Sequence, residues 1–141
     1  MKKKASAVWQ GDLKTGKGQI STESGALKDA PYGFKTRFEN SPGTNPEELL
    51  GAAHAGCFSM ALSNILGESG LTADSIKTEA VVTLDQADGG FAITAVHLTV
   101  VAKIPGADAA AFEAAANKAK AGCPVSKVLK ATITMDAKLE G

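Results

Sequence analysis

The sequence predicts an α+β fold in which antiparallel sheets pack around a long buried helix. Short alternating segments come first, an apolar segment rich in small residues follows, and two long alternating segments then meet at a glycine-rich turn. The pattern contains no repeated βαβ unit, which favours antiparallel pairing over a parallel sheet. The chain has 141 residues. We expect a single domain over residues 1–141, because one core usually organises roughly 100 to 200 residues.

The first two predicted strands form a hairpin. Residues 4–10 and 17–23 flank a segment dense in turn-forming residues, Gly11–Gly18. That segment has glycine and lysine, but it lacks the spacing of a phosphate-binding P-loop and no helix follows it. We therefore predict a structural turn there.

A third strand is predicted over Tyr32–Glu39. Alternation along it places Phe34 and Phe38 on one face and Arg37 on the other, so Arg37 should point away from the two phenylalanines. Trp9 and Tyr32 are expected to fill the packing between sheet and helix, as the few aromatic residues of such a chain usually do.

A long helix follows, with Asn45 as N-cap and Pro46 at its first position, and it should run to about Gly67. Residues 49–66 are apolar or small nearly all round the helix, which predicts that other elements, or a second copy of the chain, enclose it. Polar residues interrupt the apolar stretch before it reaches the ~20 residues needed to cross a bilayer. We therefore expect a buried helix of a soluble protein and no membrane partner.

The remaining chain is predicted to form a long hairpin, a helix, a short helix and a final strand. Apolar and polar residues alternate along both strands of the hairpin, and Asp88-Gly89-Gly90 provides its turn. The predicted elements are strands at Ser75–Asp85 and Phe91–Ile104, a helix at Asp108–Ala121, a short helix after Cys123, and a strand at Ala131–Leu139.

Composition and charge exclude some function classes. Fifteen basic and fifteen acidic residues cancel, which argues against a surface for nucleic acid, since such surfaces carry a clear positive excess. The lysine-rich start lacks the apolar run of about 7 to 15 residues that a signal peptide needs. We expect a cytoplasmic protein whose partner is a small molecule.

Two cysteines carry the strongest chemical signal. In a reducing cytosol they are either core residues or reactive groups rather than a structural disulfide. Cys123 precedes Pro124 at a helix start, where the helix dipole would lower the pKa of a thiol; the alternative is a buried, unreactive thiol. Cys57 lies well inside the long helix, so its activation would require another positive charge.

Arg37 is the only arginine in a chain that otherwise uses lysine. It therefore hints at a need for a planar, permanently charged, bidentate group. Glu47 opens the long helix, where a carboxylate favours the dipole without further reason. It is ten positions from Cys57, about 15 Å along an ideal helix. Only an intervening arginine or a partner subunit could couple the two.

A zinc site is a further alternative. His54 and Cys57 share a helix face, and with Cys123 and His97 they supply enough ligands. The spacing is generic, however. His97 lies on the strand face opposite Val96, Leu98 and Val100, which predicts a surface or edge position.

Three blocks of sequence resemble the osmotically inducible protein C (OsmC) family, relatives of the organic hydroperoxide resistance proteins. They are AVWQGD with the following TGKGQISTESG, then GTNPEELLGAAHAGCFSMAL, then AKAGCPVSKVLKA, and PYGFKTRFE fits the osmotically inducible branch. The resemblance covers nearly the whole chain.

The resemblance implies a thiol peroxidase that reduces organic hydroperoxides and hydrogen peroxide without a cofactor. It also implies an intertwined homodimer with active sites at the subunit interface, reset by a dithiol of the dihydrolipoyl type. Carried over, Cys57 is the peroxidatic cysteine, Cys123 resolves it by an intrasubunit disulfide, and Arg37 with Glu47 is the charged pair that activates the first thiol. A redox-sensing or small-molecule-binding dimer without efficient turnover is the alternative.

Overall fold

The structure is a computed structural model that describes residues 1–87 and 89–140. The chain divides into two compact units, Met1–Leu49 and Leu50–Gly141. The single domain over residues 1–141 stays a prediction. The combination of helices and separate sheets confirms the predicted α+β class.

The first unit contains a three-stranded antiparallel sheet. Its strands, in spatial order, are β1 (Ala5–Gln10), β2 (Lys17–Thr22) and β3 (Ala30–Tyr32). The hairpin of β1 and β2 confirms the prediction. Gly18 pairs with Trp9 on one side and Tyr32 on the other, and a Cβ at this position would collide with the Tyr32 ring. Glycine therefore lets the two aromatic side chains approach each other, with ring centroids 5.6 Å apart.

The predicted strand over Tyr32–Glu39 is wrong beyond its first residue, because the helix α1 (Phe34–Phe38) follows β3. The hydroxyl of Thr36 accepts from the Gly33 amide and donates to the Gly33 carbonyl, which closes a helical turn. The rings of Phe34 and Phe38, four residues apart, lie 4.9 Å apart. Arg37 does not point away from both: its guanidinium carbon lies 5.5 Å from the Phe38 ring centroid.

The long helix α2 spans Pro46–Glu68, close to the predicted bounds. Asn45 caps it as predicted, since its side-chain oxygen accepts from the Glu48 amide at 2.7 Å. Only one stripe of the helix is buried, formed by Glu47, Gly51, His54, Phe58, Leu62 and Leu66. Among the described residues this face alone is covered, and enclosure of the remaining faces by a second copy of the chain stays a prediction.

The second unit contains a mixed sheet in the spatial order β4 (Ser75–Ala87), β5 (Gly90–Lys103), β6 (Thr132–Glu140). The antiparallel β4–β5 hairpin confirms the prediction, although Asp88 of the predicted turn lies outside the described residues. Strand β6 pairs with β5 in parallel, so antiparallel pairing throughout is wrong. The reason is the crossover formed by α3 (Ala109–Gly122) and α4 (Pro124–Val128), which returns the chain to run beside β5 in the same direction.

The core of the second unit lies between the helices α2 and α3 and one face of the sheet. Val96, Leu98 and Val100 of β5 are fully buried, as their alternation predicted. They cluster with Phe58 of α2 and Phe112 of α3. Helix α3 begins at its cap Asp108, whose carboxylate accepts from the Ala111 amide at 2.7 Å. This packing holds α2 and the start of α4 side by side.

Helix α2 meets the length and composition of a membrane span, with 23 residues and a mean hydropathy of 1.4. Its polar residues were expected to prevent this. Phe58, Leu62 and Leu66 of α2 lie in the hydrophobic core of the second unit, as in the central helix of a globular fold. We interpret α2 as a core helix.

Candidate active site

The structure brings the two cysteines together. Cys57 lies on α2 and Cys123 caps the start of α4, and their Sγ atoms are 2.9 Å apart. Both are free thiols; Cys123 is fully buried and Cys57 is half-buried. Two sulfurs at this distance can close into a disulfide, whose bond length is about 2.05 Å, with little movement of the chain.

Local sequence explains why Cys123 faces α2. The amide of Cys123 ends α3 by donating to the Ala119 carbonyl at 2.9 Å. Pro124 then starts α4 at a position where its missing N–H costs nothing. The Cys123 carbonyl accepts from the Lys127 amide at 3.1 Å, so Cys123 occupies the corner between two helices and its side chain is held in the core.

The two thiols have opposite pKa shifts. Burial raises the pKa of Cys57, and its hydrogen bond with Cys123 raises it further, although the Val125 amide acts in the opposite direction. Burial also raises the pKa of Cys123, but hydrogen bonds from Cys57 and from the amide and hydroxyl of Ser126 outweigh it, so that its pKa is lowered. The pair thus loses one proton readily and holds the second.

These shifts test the expectations for each thiol. The pKa of Cys123 is lowered, as predicted, but the hydrogen bond with Cys57 is the largest cause of the lowering, and the helix start contributes through the Ser126 and Val125 amides. For Cys57, the contacts within the second unit do not supply the expected activation, since they leave its pKa raised. An additional positive charge is therefore needed if Cys57 is to carry the thiolate.

A hydrogen bond between His54 and Ser126 lies beside the thiol pair. His54 Nε2 and Ser126 Oγ are 2.7 Å apart, and His54 is fully buried. Burial lowers the pKa of His54, which keeps the imidazole neutral. This pair was not predicted from the sequence, although the spacing holds a signal: His54 precedes Cys57 by three residues, and Ser126 follows Cys123 by three.

The zinc alternative gains no support from the geometry. Within residues 1–87 and 89–140, no group of three or more histidine, cysteine or acidic side chains is arranged to hold a metal. His97 lies elsewhere on β5, with Nδ1 2.6 Å from Thr134 Oγ1 and Nε2 3.1 Å from Asp136 Oδ2. Its half-exposed side chain agrees with the predicted surface position.

The first unit holds the predicted charged pair. Arg37 of α1 donates from Nε to Glu47 Oε1 at 2.8 Å and from Nη2 to Glu47 Oε2 at 3.2 Å. This bidentate geometry is the one that a lone arginine suggested. Only 11% of the Glu47 side chain is exposed, against 37% for Arg37, so the carboxylate fixes the guanidinium and leaves part of it open.

An apolar pocket of about 200 Å³ in the first unit has Arg37 in its wall. A mostly aromatic wall with one fixed cation suits a small apolar molecule that has a polar end. Packing was the favoured expectation for Trp9 and Tyr32, with ligand contact as the alternative, and both side chains line this pocket. The signal was the concentration of aromatic residues around the only arginine. The lining residues are Trp9, Leu13, Tyr32, Gly33, Phe34, Arg37 and Phe38.

Comparisons with known proteins identify the family of the chain. Residues 38–138 match a family model described as OsmC-like protein. The chain is 61% identical to the peroxiredoxin OsmC of Escherichia coli K12 over 98% of this chain and 96% of that protein. It is 32% identical to the organic hydroperoxide resistance protein OhrB of Bacillus subtilis over 87% and 88% of the two chains.

A solved structure agrees in fold. The crystal structure of Bacillus subtilis OhrB superposes with a TM-score of 0.66 at 27% identity, covering 97% of this chain and 98% of the other. The family model covers more than half of the chain, and the sequence relatives extend over nearly all of it. The chain therefore belongs to the OsmC-like protein family.

Proposed function

We propose that this protein is a thiol-dependent peroxidase that reduces organic hydroperoxides and hydrogen peroxide. The observation that carries the proposal is the pair of free sulfurs 2.9 Å apart in a chain 61% identical to a protein named peroxiredoxin OsmC. A thiolate attacks a peroxide oxygen and becomes a sulfenic acid, which a neighbouring thiol can convert to a disulfide. Two neighbouring cysteines supply the sulfur atoms for both steps of this chemistry.

Cys57 takes the peroxidatic role in this proposal, because it is half-buried whereas Cys123 is fully buried. The Cys57 thiolate attacks the terminal oxygen of ROOH. A sulfur–oxygen bond forms, the oxygen–oxygen bond breaks, and RO⁻ leaves and takes the proton that the thiol pair had shared. The products are Cys57 sulfenic acid, ROH and a Cys123 thiolate.

Arg37 supplies the positive charge that Cys57 lacks within its own unit. Burial raises the pKa of Cys57, so its thiolate needs a cation to be populated. We propose that the guanidinium, oriented by Glu47, lies beside Cys57 of the same or the partner subunit during reaction. There it also stabilises the charge on the departing oxygen.

Cys123 then resolves the sulfenic acid. Its thiolate attacks the Cys57 sulfur, the sulfur–sulfur bond forms, and hydroxide leaves and becomes water with a proton from solvent. An external thiol reductant restores the two thiols by exchange. The reductant is proposed to be a dithiol of the dihydrolipoyl type, and the protein is proposed to act in the cytoplasm as an intertwined homodimer.

The aromatic pocket around Arg37 supports an organic substrate. In this proposal the pocket walls contact the alkyl or aryl group of the substrate, and the guanidinium of Arg37, which lines the pocket, faces its polar end. Hydrogen peroxide has no apolar part with which to use these walls. We therefore expect a lower KM for an aryl hydroperoxide such as cumene hydroperoxide than for hydrogen peroxide.

Peroxide consumption with a dithiol donor tests the proposal. Wild type should consume many equivalents of cumene hydroperoxide per chain, whereas Cys57→Ser should consume none above background. Ser59→Ala is a matched control, because it removes a hydroxyl on the same helix that bonds to Thr78 at 2.8 Å. Stoichiometric rather than catalytic loss would instead identify a redox sensor, and full activity of Cys57→Ser would contradict the peroxidatic assignment.

Cys123→Ser separates the resolving role from the first step. Without a nearby thiol, the Cys57 sulfenic acid persists and a second peroxide oxidises it irreversibly to sulfinic acid. This variant should lose activity progressively as peroxide is added, while its first turnover stays close to wild type. Mass spectrometry of Cys57 after each addition checks this, and stable activity over many additions would exclude Cys123 as the resolving thiol.

A further inference from the structure

We propose that His54 and Ser126 are positioning residues that hold Cys123 as the thiolate which closes the disulfide, an inference that rests on the proposed peroxidase function. The Ser126 hydroxyl, three residues after Cys123, is placed to donate to the sulfur, and the His54 imidazole, 2.7 Å from that hydroxyl, fixes its direction. Neither residue is assigned a bond-making role.

The placement of the two side chains supports a directed hydrogen-bond chain. Helix α2 carries both His54 and Cys57, and α4 with its cap carries both Cys123 and Ser126. The contacts pair them across the two helices: sulfur with sulfur at 2.9 Å, and imidazole with hydroxyl at 2.7 Å. Residues three apart lie on the same face of a helix, so the polar pair sits one turn away from the thiols.

The burial of His54 determines which nitrogen carries the proton. Nδ1 is buried and has no hydrogen-bond partner among the described residues. A buried N–H without an acceptor is rarer and costlier than a buried acceptor without a donor. We therefore assign the proton to Nε2, which donates to Ser126 Oγ. Because a serine has a single hydroxyl proton, that proton is then free to be donated to Cys123.

The electrostatics of Cys123 agree with this assignment. Burial alone raises the pKa of the thiol, and the hydrogen bonds from Cys57, from the Ser126 amide and hydroxyl, and from the Val125 amide reverse that effect. His54 contributes no positive charge of its own to this effect, since burial lowers its pKa and keeps the imidazole neutral. The hydrogen bonds from His54 to Ser126 and from Ser126 to Cys123 thus favour the negatively charged thiolate of Cys123 and do not transfer a proton to it.

In the reaction, this chain acts after the peroxide has been reduced. Cys123 has given the shared proton to the leaving alkoxide, and its new negative charge needs stabilisation while it approaches the Cys57 sulfenic acid. The Ser126 hydroxyl provides it through a charge-assisted hydrogen bond. Closure forms the sulfur–sulfur bond and releases hydroxide from Cys57, so no proton passes to or from His54.

A titration that needs no peroxide tests the inference separately from the proposed function. In a Cys57→Ser background, Cys123 is the only thiol, and its ionisation is followed by the ultraviolet absorbance of the thiolate. Ser126→Ala should move the midpoint upward by about one pH unit, since a hydrogen bond to a charged group is worth at least this much. Ser126→Thr should restore it, and Ser59→Ala should leave it in place.

Single-turnover kinetics distinguish a positioning role from a structural one. In the two-cysteine protein, Ser126→Ala should slow disulfide closure about tenfold and leave the rate of peroxide reaction at Cys57 unchanged. Equal losses in both steps, or an unmoved midpoint in the titration, would overturn the inference. Should Ser126→Ala fail to fold, His54→Gln, which keeps an N–H donor, is compared with His54→Met, which does not. Equal midpoints in these two variants would overturn it as well.

Discussion

At the scale of single residues, the main question is whether Arg37 lowers the pKa of Cys57. Burial raises the pKa of Cys57, so its reaction rate should rise with pH until the thiolate dominates. A guanidinium beside it should shift that rise to lower pH. Arg37→Gln should therefore move the pH profile of peroxide reaction upward and lower the rate at pH 7 by about tenfold or more.

The pH profile is measured in a Cys123→Ser background, so that one thiol is followed. Lys35→Gln removes a neighbouring positive charge of α1 and is the matched control. We expect its profile to coincide with that of the parent. Coinciding profiles for Arg37→Gln and Lys35→Gln would remove Arg37 from the activation of Cys57.

His54 should make the fold sensitive to mild acid. Burial lowers its pKa in the folded chain below the ordinary value of 6.5, so the unfolded chain binds the proton more readily. The stabilising contribution is complete above about pH 6.5 and is lost as the pH falls below it. Urea unfolding from pH 7.5 down to 5 measures this, and the loss should be smaller in His54→Gln. An equal loss in both proteins would assign the acid sensitivity to other groups.

At the scale of elements, the stretch after β3 shows where sequence reasoning failed. Alternating Phe34, Thr36 and Phe38 fits a strand, but phenylalanines four residues apart fit a helix as well. The hydrogen bonds of Thr36 with Gly33 favour the helix over the strand. The pattern of apolar residues does not predict these bonds. The long helix and long hairpin were predictable, because their caps, turns and periodicity all agree.

Thr36→Val tests the role of that hydroxyl. Removing it leaves the Gly33 amide without its partner, while the Gly33 carbonyl keeps the Arg37 amide as a donor at 3.1 Å. The lost bonds should lower the free energy of unfolding by about 1 kcal/mol. Thr132→Val changes an exposed strand residue in the same way and should have a smaller effect. Chemical denaturation of the two variants provides the comparison. A loss in Thr132→Val as large as that in Thr36→Val would show that the turn gains nothing from its hydroxyl.

Some residues of the candidate site could be predicted from the sequence, and others depend on contacts that form only in the folded chain. The cysteines, Arg37 and Glu47 were named from sequence blocks that resemble a family. The contact of His54 with Ser126 was not, because it depends on α2 and α4 lying side by side. The parallel pairing of β6 likewise depends on the path of α3 and α4 over the sheet, which is a property of the assembled fold.

For the whole molecule, the unburied part of α2 is the feature that remains to be accounted for. Its sequence is apolar or small nearly all round, yet a single chain buries one stripe. Met60 of α2 is 78% exposed and Val128 at the end of α4 is 77% exposed. Both side chains are apolar and exposed, and exposed apolar surface that forms a patch marks an interaction surface. We expect a second copy of the chain to cover it.

Met60→Glu should therefore weaken the dimer. Burying a methionine contributes roughly 1.5 to 3 kcal/mol, and a two-fold interface loses this twice, so dissociation should become at least about a hundredfold easier. Lys103→Glu, an exposed charge reversal at the end of β5, should leave the association unchanged. Analytical ultracentrifugation at micromolar concentration measures both variants beside wild type. A monomeric wild type, or a Met60→Glu protein that dimerises as tightly as wild type, would mean that another surface or no surface joins the chains.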